Sequence, residues 1–200
     1  GIQSFYETGN RLVYSSIQDY YDWLSRLNIF SENINNFIEI NKEGLLKGIT
    51  QPNIITESVI VQIDAIIDSE IDKNPYMKVF MEADSNLMSK TEKDELVIKA
   101  KEIVNNKIIP AYINLNNFLK NQYLPNSRNS IGISDVPGGK EYYEYLAKFY
   151  TTTDLTPDQI HEIGLDEIKR IRSEMEAIIK EVNWDGDFNS FLNYLRTSPR

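Results

Sequence analysis

The sequence predicts an all-α protein, a helical bundle or array of roughly seven to nine helices. Three observations carry this. Apolar residues recur at spacings of three and four from Ile17 to Leu195; no segment alternates with a period of two; and Ser- or Thr-led capping boxes stand before several apolar runs. With 41% hydrophobic residues the chain has the material for a real core rather than a disordered coil.

The elements follow in order. Ser15 or Ser16 caps a helix whose face is Ile17, Tyr20, Tyr21, Leu24 and Leu27. Ile34, Phe37, Ile38, Leu45 and Leu46 mark a second, with Gly48 and Pro52 as punctuation. A third starts at Thr56-Glu57, runs through Ile60, Ile63, Ile67 and Ile71, and ends at Asn74-Pro75. Ser89-Lys90-Thr91-Glu92 forms a capping box, in which two side chains satisfy two orphan amides. The long helix behind it carries Leu96, Ala100, Ile103, Val104 and Ile108. It should kink or break near Pro110, where a donor is lost and the ring crowds the preceding turn, and then resume through Leu115, Phe118 and Leu119.

Residues 124–140, with Pro125, Gly132, Pro137, Gly138 and Gly139, form a loop separating two helical halves of a single region spanning 1–200. A short aromatic helix follows, with Tyr142, Tyr143, Leu146, Phe149 and Tyr150. Thr156-Pro157-Asp158-Gln159 is another capping box, with proline where its missing donor costs nothing. Its helix reaches about Val182. After an Asp185-Gly186-Asp187 turn comes an amphipathic segment with Phe188, Phe191, Leu192 and Leu195.

Charge and composition exclude several functions. The net charge is −9 with no basic run, so nucleic acid is not an expected partner. The absence of cysteine removes disulfides, thiolate zinc sites and a cysteine nucleophile. No apolar run approaches the ~20 residues of a membrane span. Gly1 is an unusual native start, so a removed leader or lipid anchor, and an extracytoplasmic location, are compatible with the chain. The abundance of Ile, Asn, Lys and Tyr is associated with AT-rich bacterial genomes.

The candidate sites each have a plainer reading. His161 is the only histidine, and position i+4 is Leu165, so a two-histidine zinc helix is absent. Asp158, His161 and Glu162 share a helical turn, where acids also serve the helix dipole. Pro137-Gly138-Gly139-Lys140 can bring bare amides against a carboxylate or peptide, or simply turn the chain. Tyr142, Tyr143, Tyr145 and Tyr150 either line a cleft or pack as core. Arg128 either clamps a carboxylate or serves the structure.

Several runs match one recurring pattern: Ile109-Pro110-Ala111-Tyr112 with Leu115; Tyr123-Leu124-Pro125 with Arg128; Val136-Pro137-Gly138-Gly139-Lys140-Glu141-Tyr142-Tyr143; and Tyr150-Thr151-Thr152 followed by Leu155-Thr156-Pro157, Ile160-His161 and Gly164-Leu165. Tyr21-Asp22-Trp23-Leu24, Gly44 to Gly48 and Gln51-Pro52 fit more loosely. On these the chain resembles the bacterial family catalogued as domain of unknown function 885. Its members are several hundred residues long, mostly helical, and similar to zinc metallopeptidases of the gluzincin type. Their metal motif, His-Glu-x-x-Pro-Gly-His-His, lies downstream of the matched region.

The resemblance implies the N-terminal helical part of a peptidase, forming a wall of the substrate channel. This chain would have no catalytic residue, metal ligand or cofactor of its own and no activity alone; zinc would reside in the full-length parent. Gly138, Gly139, Tyr142 and Tyr143 are the substrate-binding candidates. The implied partners are the remainder of its own polypeptide, which carries the catalytic part, and a peptide substrate. An apolar face left uncovered would also promote self-association. A non-catalytic helical binding or scaffolding module is the alternative.

Overall fold

A computed structural model describes residues 1–198. The described residues are mostly helical, with no strand; their one isolated bridge joins Pro52 and Arg128. Eight helices have ten residues or more: α2 (Ile17–Asn28), α3 (Phe30–Leu46), α4 (Asn53–Ile67), α6 (Lys90–Ile103), α7 (Ile109–Phe118), α8 (Gly139–Thr151), α9 (Pro157–Glu181) and α10 (Phe188–Thr197). Two are short: α1 (Tyr6–Arg11) and α5 (Lys78–Met81). The chain divides into two compact units, Gly1–Pro137 and the remainder from Gly138.

Local chemistry sets most helix starts. At the start of α2, with Ser16 as N-cap, the Ser16 amide donates to Asp19 Oδ2 at 2.9 Å. Ser89 and Glu92 exchange bonds at 2.7 and 3.3 Å at the start of α6. Thr156 and Gln159 do the same at 2.9 and 3.2 Å for α9. The third helix begins earlier than Thr56-Glu57 suggests. Pro52 is its N-cap, and Thr56 lies buried inside the first turn with its hydroxyl directed at the Pro52 carbonyl. The same helix ends at Ile67, leaving Ile71 to a short 3-10 turn.

The expected interruption at Pro110 takes the form of a π turn. Residues Val104–Ile108 widen so that the Ile109 amide reaches the Val104 carbonyl, and the helix continues without a gap. The wider turn makes room for a ring that would crowd the carbonyl of residue 106 in an α-helix. The same solution recurs at Leu119–Tyr123, where the Leu124 amide bonds the Leu119 carbonyl immediately before Pro125. These turns also keep the buried face aligned. Leu96, Ala100, Val104, Ile108 and Tyr112 are all buried at spacings of four. In a helix of 3.6 residues per turn, that spacing would rotate the face by ~160° over its length.

The first unit is organised on this long helix, with α3 and α4 against α7 and α2 against α6. Its centre is aromatic. Phe30, 1% exposed, lies 5.3 Å from both Phe5 and Tyr112 and 5.9 Å from Tyr76, ring centre to ring centre. Tyr112 donates to the Ile2 carbonyl at 2.8 Å, so the 2.7 Å contact between the two phenols is a donation from Tyr76 to Tyr112. Burial raises the pKa of both, keeping them neutral.

Between α4 and α7, Asp64 accepts from Lys120 Nζ at 2.8 Å and Asn116 Nδ2 at 2.6 Å. The Lys120 hydrogen bond, foremost, holds the Asp64 carboxyl below its ordinary range. A depressed carboxyl contributes stability that is fully present above its unfolded value, about 3.9, and is lost as pH falls through the folded value. The Asp64→Asn variant should therefore be less stable than the parent at neutral pH, with the gap constant above about pH 5 and closing below about pH 4. Thermal melts of both proteins between pH 2 and 7 check this; a gap that does not change with pH would refute it.

The unit from Gly138 differs in kind. It comprises α8, α9 and α10, and among its described residues only Gly139 is buried. Ile163, Leu165, Ile168, Ile171, Ile178, Tyr194 and Leu195 are all exposed.

Candidate functional site

The Val136–Tyr143 segment closes one unit and opens the next. Val136 is buried at the end of the first unit. In the second, Gly138 is the N-cap of α8 at φ 70°, ψ 7°. That left-handed geometry costs a residue with a Cβ ~1–2 kcal/mol. A Cβ at Gly138 would meet nothing within 4 Å, so the requirement for glycine here lies in the backbone alone.

No side chain caps α8. The Tyr142 amide makes the first intrahelical bond, to the Gly138 carbonyl at 3.1 Å. The amides of Gly139, Lys140 and Glu141 precede it, in the turn whose donors have no partner within the helix. Tyr142 and Tyr143 follow one turn later, 53% and 51% exposed. Side chains on a helix lean toward its N-terminus, so these phenols lean toward the uncapped amides. The arrangement offers backbone donors at the positive end of the helix dipole together with two phenols, a set suited to a peptide carbonyl or a carboxylate.

The packed-core reading of the tyrosines is corrected here. Tyr142, Tyr143, Tyr145 and Tyr150 are all more than half exposed. Tyr145 stacks on Phe149 with ring centres 6.0 Å apart, and Phe149 meets Tyr150 edge-on at 5.2 Å. These rings form an exposed aromatic surface along α8, whose helical spacing alone gives no indication of what covers them.

Arg128 is structural. Its guanidinium donates to the carbonyls of Thr50 at 2.9 Å and of Ser130 and Gly132 at 2.6 Å each, and its amide bonds Thr50 Oγ1. It thereby ties the loop after the long helix to the segment before α4. Asp158, His161 and Glu162 lie exposed on α9. Among the described residues, no group of three or more His, Asp or Glu side chains is placed to hold a metal ion. Asp158, His161 and Glu162, on one exposed turn of α9, do not make a zinc site among the described residues.

In the first unit, an open groove of about 560 Å³ runs between α2 and α6, lined by Tyr21, Leu24, Lys99 and Ile103 among others. Lys99 Nζ sits 4.9 Å from the Tyr21 ring centre. A smaller cleft of about 130 Å³ is almost wholly apolar, with Phe37, Val59 and Leu119 in its walls. Neither contains a nucleophile paired with a base. No helix among the described residues is long and apolar enough to cross a membrane.

The description "bacterial protein of unknown function (DUF885)" matches residues 2–200, and the chain belongs to that family. A solved structure, a candidate lipoprotein of Colwellia psychrerythraea, shares the fold with a TM-score of 0.83 at 24% identity. The match covers 96% of this chain and 33% of that one, so this chain spans about a third of that protein's length. No curated protein matches.

Proposed function

We propose that this chain is the helical, non-catalytic part of a zinc-dependent peptidase and forms one wall of its substrate channel. The start of α8 is the observation that supports this reading. No side chain caps the amides after Gly138, and Tyr142 and Tyr143 one turn on are exposed, a donor set suited to an extended peptide's carbonyl groups. A tyrosine hydroxyl placed there can also help hold a developing oxyanion. In this reading the reacting groups and the zinc belong to the remaining polypeptide, and this chain binds and orients the substrate.

The test is substitution in the intact, longer protein: Tyr142→Phe, Tyr143→Phe and Gly139→Ala, each with its melting temperature. Loss of one hydrogen bond to bound peptide should lower kcat/KM about tenfold at unchanged stability for at least one tyrosine. Parental activity in all three variants would remove the segment from substrate handling. Activity that falls only in step with stability would leave it a structural turn.

A further inference from the structure

The second unit carries an apolar seam that is left uncovered. On α9, Ile168, Ile171, Met175, Ile178 and Val182 follow one another at spacings of three, four, three and four. This is the repeat that keeps one helix face against a partner helix. Ile168 is 65% exposed, Ile171 46%, Ile178 52% and Val182 54%. One turn before the seam, a Cβ at Gly164 would meet nothing within 4 Å, so a backbone can approach closely there.

The flanks of the seam differ. One holds Glu167, Glu174 and Glu181; the other holds Leu165, Arg172 and Ile179. Arg170 is bonded to both Glu167 and Glu174, so one cation serves two carboxylates and that flank stays acidic. Arg172 is held on its own helix by Glu176 at 2.7 Å and lies over the Phe188 ring at 3.4 Å.

This charge pattern disfavours a second copy. An antiparallel pair of α9 helices would set glutamate flank against glutamate flank. A parallel pair would match Glu167 with Arg172 of the other copy but place Glu174 against Ile179. An apolar seam with one acidic flank instead suits a helix whose facing flank is basic.

We propose that the α9 seam seats an amphipathic helix from the remainder of the longer polypeptide, one bearing its own three-four apolar repeat and Lys or Arg along the edge that meets Glu167, Glu174 and Glu181. The inference rests on the reading of this chain as part of a larger enzyme, and on the solved relative being about three times longer than the stretch matched here. It does not require the substrate role of Tyr142 or Tyr143, which activity tests separately.

Hydrogen exchange read by mass spectrometry on α9 peptides tests it, in the intact protein and in the 200-residue chain. Residues 165–182 should exchange about 100-fold more slowly in the intact protein. Combining Ile171→Asp with Ile178→Asp should abolish the difference. Combining Glu167→Lys, Glu174→Lys and Glu181→Lys should reduce it about tenfold, whereas Lys180→Glu on the outer face should leave it intact. Circular dichroism confirms that each variant retains its helix content. Equal exchange in the intact protein and the 200-residue chain overturns the proposal. So does a concentration-dependent dimer of the 200-residue chain that Ile171→Asp disperses, because the occupant is then a second copy. If the triple lysine variant protects α9 as well as the parent, the basic-edged partner is wrong.

Discussion

Replacing Phe30 by alanine should destabilise the first unit by about 3–5 kcal/mol, the usual cost of deleting a buried aromatic ring. Phe30 is the hub at which Phe5, Tyr76 and Tyr112 meet, so the cavity would open where α3 joins both the long helix and the N-terminal segment. Because the surrounding rings are rigid, little collapse can offset the loss. Domains of this kind have about 5–15 kcal/mol of total stability, so the melting temperature should fall by about 10 °C or more. Phe149→Ala, on the exposed surface of α8, is the control and should shift it by little. Equal shifts in the two variants would show that the ring cluster is not the centre of the fold.

Gly9→Val should cost about 3 kcal/mol, the upper end of overpacking. A Cβ at Gly9 would lie 2.5 Å from Cε2 of Trp23, whose indole is 1% exposed and has no room to retreat. Valine has little advantage over glycine in helix propensity, so nothing local offsets the clash. The Gly9 carbonyl also accepts the Tyr14 hydroxyl at 3.0 Å, so displacing α1 would strain that bond as well. Burial, foremost, pushes the Tyr14 pKa up to about 12, in keeping with a neutral phenol that serves as donor. A lower melting temperature together with red-shifted tryptophan emission is the expected signature. A stable variant with parental emission would mean that α1 is free to lift away from Trp23.

The helices that could be read from the sequence were those with local reasons to begin. The boxes at Ser89 and Thr156 and the Ser16 cap need only a hydroxyl and an acid or amide three residues on, and the structure contains all three. Two helices leave no signal in the sequence because tertiary contact holds them. The six residues of α1 are too short for a periodic signal, and the four of α5 shorter still. The start of α4 is not legible in the sequence because Thr56 looks like a cap, whereas the N-cap is Pro52, four residues earlier. At the candidate site, sequence could point to Gly138 through the chemistry of turns. The exposure of Tyr142 and Tyr143 was not legible, because aromatic spacing is the same whether a face meets core, substrate or solvent. The seam on α9 was hidden for the same reason: periodicity reveals that a stripe exists, and only three-dimensional packing shows whether it is covered.

The two π turns bear on how this protein can change over evolutionary time. Each is equivalent to one surplus residue threaded into an otherwise regular helix ahead of a proline. At the first, Asn105, Asn106 and Lys107 are exposed and contribute nothing to the core. Losing one of them would tighten the π turn into an α turn while leaving Tyr112 and Leu115 facing inward, whereas losing a residue from a purely α-helical stretch would turn every later side chain by ~100°. The long helix can therefore vary in length by single residues at these two places and keep its partners, and relatives of this chain should carry their gaps there.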